Sequence, residues 1–408
     1  MTSDPADASS LRQSLRTSLP RNVVVLGVVS FFTDMSSEMI YPLLPVFLGT
    51  VLGTSATVIG VIEGAAESVS ALLKLASGWW SDRVGRRKPL VVAGYLIASI
   101  TRPMIGLAQA AGHVLAIRLI DRVGKGIRTS PRDALIADSV DSSIRGRAYG
   151  FHRAADHAGA VVGPLIAWVI LEQLGVPMRT LFLLAAIPAA LAVITLVLGV
   201  HEPRRTRPAA PPKAEPTLAG ASRLGGRYWS VLAVILVFTL GNSTDAFLLL
   251  RAADVGVPVA QLPLIWAMLH VVKSAVSTPG GALSDKIGRR PLLVAGWLLF
   301  AAVYFVFGRI DEAWQAWALF GVYGIFFGLT EGTEKALVAD LVPPAMRGTA
   351  FGGFNLAISL GALPASVIFG LWWDHVGPRA AFDFGAALAL AAAIGILVVL
   401  PRGAARRV

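Results

Sequence analysis

The 408-residue sequence contains no cysteine. That excludes disulfides, thiol nucleophiles and zinc–thiolate centres, and it leaves the redox compartment open. Charge is scarce as well. Asp, Glu, Lys and Arg make up 15% of the chain, against about 25% in an ordinary soluble domain. The six histidines, at 113, 152, 157, 201, 270 and 375, form neither an H-E-x-x-H pair nor an acid-rich metal spacing. No G-x-x-x-x-G-K-(S/T) loop is present, which argues against direct ATP coupling within the chain. No cofactor or metal is expected.

What is present is apolar. Hydrophobic residues make up 55% of the chain and the mean hydropathy is +0.67. Apolar runs of about 20 residues recur throughout, long enough to cross a bilayer. Lipid leaves an open sheet edge unsatisfied, so the expected class is all-α and polytopic, with about twelve transmembrane helices. The net charge of +11 would suit nucleic acid, but its distribution points elsewhere. Basic residues gather in the N-terminal segment, alternate loops, a central linker and the tail. The opposite loops hold only Arg179, Arg251, Arg309 and Arg379. This is the positive-inside pattern, and it places both termini in the cytoplasm with lipid, not nucleic acid, as the partner. The first 21 residues are polar and the apolar run after them exceeds a signal h-region, so no cleavable signal is expected.

Residues 201–227 are rich in Pro, Ala and Arg and read as a cytoplasmic linker. They divide the chain into a segment 1–21, a six-helix bundle 22–200, the linker, a second bundle 228–400, and a tail 401–408. The bundles repeat each other. "GWWSDRVGRRKPLVVAGY" at 78–95 matches "GALSDKIGRRPLLVAGW" at 281–297, and "ALIADSVDSSIRGRAYG" at 134–150 matches "ALVADLVPPAMRGTAFG" at 336–352. A parallel duplication puts a pseudo-twofold axis along the membrane normal and a cavity between the halves. Within the first repeat, Gly85 and Gly288 permit a tight turn. Gly78, Asp82, Arg83, Arg86, Arg87, Asp285, Arg289 and Arg290 surround it, as a charged turn or as a structural latch.

The pattern G-x-x-x-D-(R/K)-x-G-R-R in both halves, twelve spans and a central linker resemble the major facilitator superfamily (MFS) along essentially the whole chain. The resemblance implies two pseudo-symmetric six-helix bundles, a midplane small-molecule site, alternating access and a gating role for the repeated loop. It also implies the plasma membrane (the inner membrane of a bacterium), a monomer, and a protein that is not an enzyme.

One stretch breaks the apolar rule. Residues 113–139, "HVLAIRLIDRVGKGIRTSPRDALIADS", carry Arg118, Asp121, Arg122, Lys125, Arg128, Arg132 and Asp133. Projected at 100° per residue, all but Arg128 fall within about 120° of one face. Each charge at the bilayer centre costs roughly 2.5–3.5 kcal/mol, so the stripe must meet water or acids. Acids are available at Asp34 and Glu38, at Glu63 and Glu67, and at Asp156 beside Arg153 and His157. Either they lock the bundle as a fixed ion-pair lattice, or they bind substrate and carry protons. The tenth span lacks most of this charge, and Asp245, His270 and Lys273 are the sparser counterpart.

Two stretches resemble further family patterns. "RLIDRVGKG" at 118–126 follows R-x-x-Q-G-x-G-x-G with Asp121 and Arg122 departing, and the resemblance implies a proton-coupling role for Arg118. "GAVVGPLIAW" at 159–168 resembles the antiporter motif at Gly159, Gly163 and Pro164. It reads equally as close packing with a bend. The expected function is therefore proton-coupled efflux of a small molecule, with Asp34 and Glu38 as proton carriers. The alternatives are a proton symporter importing an anionic or zwitterionic metabolite, a membrane-embedded enzyme, and a transport-dead receptor.

Overall fold

The computed structural model describes residues 19–84, 87–140, 144–202, 224–343 and 346–400. Among them, twelve helical segments of membrane-spanning length follow one another. In the first half these are α1 (Arg21–Val51), α2 (Ala56–Val84), α3 (Lys88–Leu107), α4 (Ala111–Asp138), α5 (Arg145–Trp168) and α6 (Met178–Gly199). In the second they are α7 (Gly225–Asp254), α8 (Leu262–Ile287), α9 (Arg289–Phe307), α10 (Ala313–Asp340), α11 (Arg347–His375) and α12 (Pro378–Val399). Eleven are apolar enough to cross a membrane by composition alone. The exception is α4, whose charges remove it from that class and whose environment therefore has to compensate them.

Two of the spans are broken. α1 is helical to Glu38, then passes through a 3-10 turn at Tyr41–Leu43. Pro42 and Pro45 cannot donate to the preceding turn. α7 breaks after Gly241, and its second piece starts at Ala246 with Thr244 Oγ1 accepting from the Ala246 amide at 3.3 Å. Both breaks sit beside an acid, Glu38 and Asp245. Pro131 has no comparable effect, because α4 runs through it to Asp138.

The two halves pack alike. In the first, α1 lies against α5 and α6, α4 against α2 and α3, and α3 against α6. In the second, α7 lies against α11 and α12, α10 against α8 and α9, and α9 against α12. The main contacts between halves are α2 with α11 and α5 with α8, which the same twofold relation exchanges.

Glycine sets the closest approaches. A Cβ on Gly159 or Gly163 would fall on the α1 backbone at Phe31 and Met35. The pair thus seats α1 against α5 within one half. Gly159→Val should destabilise the protein by about 1–3 kcal/mol through overpacking, measured as a lowered unfolding midpoint in detergent. An unchanged midpoint would show that the contact yields.

Candidate functional site

The charged face of α4 points into the first bundle. Arg118 Nη2 meets Glu63 Oε2 of α2 at 2.5 Å, with both side chains at least nine-tenths buried. Arg118 also lies over the Tyr41 ring, 5.8 Å from its centroid. One turn further along, Arg122 Nη2 meets Glu67 Oε1 at 3.3 Å. Glu67 is 48% exposed there, whereas Glu63 is sealed. Asp121 turns toward α3 and accepts from Arg102 Nη2 at 3.0 Å, and Arg102 Nη1 donates to the Thr33 carbonyl of α1. Arg128 is buried over the Tyr95 ring at 4.3 Å. Neither Arg118 nor Arg122 faces lipid.

The register of α2 against α4 follows from small groups. Gly126 accommodates Leu73, Ser77 Oγ donates to the Gly126 carbonyl at 2.8 Å, and Ser130 Oγ donates to the Lys74 carbonyl at 2.7 Å. With that spacing fixed, acids at 63 and 67 come level with arginines at 118 and 122.

Asp34 and Glu38 do not pair with the α4 arginines. Glu38 Oε2 instead accepts from Trp266 Nε1 of α8 at 2.7 Å, a bond between the halves. Trp266 in turn packs edge-on against His270. Asp34 makes no hydrogen bond or ion pair among the described residues. It lies within electrostatic reach of Asp156, Glu38, Lys125 and Arg128. Asp156 binds Ser30 Oγ of α1 and sits 3.5 Å from His152 Nδ1 and 3.7 Å from Arg153. His157 lies near Lys273 and Glu331 of the other half. In the second half, Tyr323 Oη donates to Asp245 at 2.7 Å, and Lys273 pairs with Glu331 at 3.4 Å above the Phe327 ring.

Arg102, Tyr41 and Tyr95 are partners that sequence reasoning missed, and Trp266, which it offered as an aromatic lining, is instead the donor to Glu38. The one available signal was Asp121, an acid on an intramembrane stripe that required a cation on a neighbouring helix.

The repeated loop is built symmetrically where it is described. Arg87 meets Asp138 at 3.3 Å, and Arg289 meets Asp340 at 3.2 Å, each 202 residues from its counterpart. Each ion pair ties the start of the third helix of a half to the end of its fourth. Gly288 adopts φ 95° between α8 and α9, a conformation that favours glycine. Arg289 also meets Asp285 at 2.5 Å, and Arg290 donates to the Leu397 carbonyl at 3.0 Å. Glu202 accepts from the Arg87 and Lys88 amides at 2.9 and 2.7 Å. Gly85 and Arg86, and the side chains of Asp82 and Arg83, lie outside the described residues, as does the surrounding of Gly78.

Among the described residues, the contacts that close the halves along α2 and α11 lie on one side. The face bearing the Gly199 and Gly225 ends is the linker face, and the opposite one is distal. Near the distal face, Asp374 of α11 accepts from the Ala56 and Thr57 amides at 2.9 and 2.8 Å and from Thr57 Oγ1 at 2.6 Å. A Cβ on Gly64 would fall 2.7 Å from Leu363 Cα, and one on Gly370 2.6 Å from Thr57 Cα, so only glycine fits at either crossing. The interlock runs as far as Ser68, whose Oγ donates to the Ser359 carbonyl at 2.8 Å. Beyond it the same faces are open, with Leu72 on α2 and Asn355 and Leu356 on α11 exposed. Among the described residues, the ionic stripe thus lies between a sealed distal end and an open stretch toward the linker face.

A profile of the Major Facilitator Superfamily matches residues 26–272 and 231–408. The chain belongs to the major facilitator superfamily. An uncharacterized MFS-type transporter of Methanocaldococcus jannaschii is 33% identical over 392 residues, covering 93% of this chain and 95% of the relative. The multi-drug resistance efflux pump PmrA of Streptococcus pneumoniae is 27% identical over 372 residues, covering 87% and 90%. Among solved MFS structures, a bacterial homologue of the human lysosomal transporter Spinster superposes with a TM-score of 0.73 at 19% identity, covering 94% of this chain and 96% of that one. The protein is thus an integral membrane transporter of the MFS fold and not an enzyme.

Proposed function

We propose that this MFS transporter exports a small molecule by alternating access, in exchange for protons. The observation that carries the reading is the one-sided seam, sealed distally by α2 and α11 and open at the linker face. With the linker face in the cytoplasm, as its basic residues require, the structure is inward-open and presents its ionic stripe to cytoplasmic substrate. Export is supported by the Gly159, Gly163 and Pro164 pattern and by relatives that include a multidrug efflux pump. The membrane is that of a bacterial cell, and the working unit is a monomer with one cavity between its halves.

Proton coupling is assigned to Asp34 and Glu38, with Arg118 as the responsive cation. Among the described residues Asp34 has no hydrogen-bond or ion-pair partner and lies among both signs of charge, so uptake of a proton changes a local balance without dismantling a pair. Glu38 bridges to Trp266 across the halves, so its protonation bears directly on their contact. Glu63, Glu67, Asp121, Arg122, Lys125, Arg153, Asp156, His157, Asp245, His270 and Lys273 form the substrate-facing or supporting charge. The repeated loops form the cytoplasmic gate.

The test is flux in proteoliposomes under an imposed pH gradient. Glu38→Gln should abolish pH-driven movement while the detergent-solubilised protein keeps its elution volume and unfolding midpoint. Full activity in both Asp34→Asn and Glu38→Gln would remove the assignment.

A further inference from the structure

We propose that the transported molecule is an organic anion whose carboxylate, sulfonate or phosphate group binds between Lys74 of α2 and Lys125 of α4; this rests on the transporter reading above. Neither ammonium has a carboxylate within the 4.0 Å that defines an ion pair, nor any hydrogen bond from its Nζ, among the described residues. Both belong to the stretch that the Ser77, Gly126 and Ser130 contacts hold in register. They lie within electrostatic reach of each other and of Arg122.

The acids nearby are already committed or outnumbered. Glu67, the carboxylate closest in sequence to this level of α2, is engaged by Arg122 at 3.3 Å. Asp133 is engaged by Arg132 at 2.8 Å. Asp34 reaches Lys125 electrostatically without forming a pair. Even with all three acids ionised, Lys74, Arg122, Lys125 and Arg132 leave an excess positive charge. The deeper pairs, Arg118 with Glu63 and Arg102 with Asp121, cancel internally.

An uncompensated ammonium within a membrane-spanning bundle is expensive. A structural lattice would bring a carboxylate within ion-pair distance of each lysine, as Glu331 does for both Lys273 and Lys335 in the other half. The repeat makes the contrast sharper. The positions matching Lys125 and Lys74 are Phe327 and Ser277, at offsets of 202 and 203. These two cations thus have no cationic counterpart in the other half, and they lie on the open side of the sealed Arg118–Glu63 pair. The missing counter-charge is therefore assigned to the ligand.

Two naphthalene probes of matched shape and opposite charge test this on the full-length protein in detergent. Naphthalene-sulfonate should raise the midpoint of thermal unfolding, and naphthyl-trimethylammonium should not. Lys74→Gln and Lys125→Gln should each weaken the apparent sulfonate affinity about tenfold. Lys125→Arg should restore most of it, and Arg227→Gln, exposed at the start of α7, should leave it unchanged. Equal shifts by both probes, a sulfonate shift indifferent to both lysine substitutions, or no sulfonate shift up to about 10 mM would overturn the site. Flux separates this from the transporter reading. Sulfonate binding without any gradient-driven movement overturns transport and leaves the anion site standing. Gradient-driven flux of the cationic probe without sulfonate binding does the reverse.

Discussion

Replacing Glu63 by Gln is expected to cost about 3–5 kcal/mol of stability, because it leaves the Arg118 guanidinium buried without its counter-ion. The pair is short, at 2.5 Å, and both side chains are at least nine-tenths buried. No other carboxylate reaches Arg118 within ion-pair distance among the described residues. The Tyr41 ring at 5.8 Å is a weak substitute, since a cation over an aromatic face contributes about 0.5–2 kcal/mol. Arg118→Gln should cost a similar amount by stranding Glu63. The double substitution should cost less than the sum, because it removes both charges together. Reversible unfolding in detergent, followed for all four proteins, gives the coupling energy. A Glu63→Gln variant within about 0.5 kcal/mol of the parent would show that water already reaches the pair. By contrast, Glu67→Gln should cost far less, because Glu67 is half exposed and solvent screens it.

The second large effect is expected at the distal seam. Asp374 receives two amide donors and one hydroxyl from the start of α2, across the boundary between the halves. These groups include helix N-terminal amides that have no intrahelical partner, so the carboxylate both satisfies them and complements the helix dipole. Opening the distal side must break all three bonds. Asp374→Ala should therefore raise the population of the distal-open state. One lost charge-assisted bond, worth about 1.5 kcal/mol, corresponds to roughly a tenfold shift. The absence of native cysteine makes the readout clean. Ser366→Cys is nearly isosteric and sits at the seam against Gly60, 2% exposed. Its labelling by a water-soluble maleimide should be slow in the parent and about tenfold faster with Asp374→Ala. Equal labelling rates would mean that the glycine interlock, not the clasp, holds the distal side shut. Asp374→Asn should be intermediate, since an amide oxygen still accepts but without charge.

Much of the architecture was legible in the chain because lipid leaves few choices. Apolar runs of membrane length, alternating basic loops and an internal repeat require paired helical bundles. The repeat even forecast a shared loop structure, and the Arg87–Asp138 and Arg289–Asp340 pairs show it at matched offsets. The charge stripe of α4 was equally visible, since helical periodicity alone places Arg118, Arg122 and Lys125 on one side.

The partners of that stripe were a different matter. Asp34 with Glu38, and Glu63 with Glu67, have the same i, i+4 spacing on neighbouring spans, so periodicity could not choose between them. The choice depended on how closely α2 approaches α4, which Gly126 and the two serine bonds set. Arg102 was invisible as a partner because it lies where α3 passes from α-helix to 3-10 helix, near the end of the span, where an arginine ordinarily meets lipid headgroups. The break at Tyr41 brings a ring to Arg118, and only the folded backbone shows it. The sequence by itself determined the spans, the duplication and the presence of an interior ionic face, since each follows from local pattern and the cost of charge in hydrocarbon. Tertiary structure alone decided which acids neutralise which arginines, which lysines stay free, and which end of the seam is shut. Those outcomes depend on helix separation and register between segments far apart in the chain, and no local pattern encodes them.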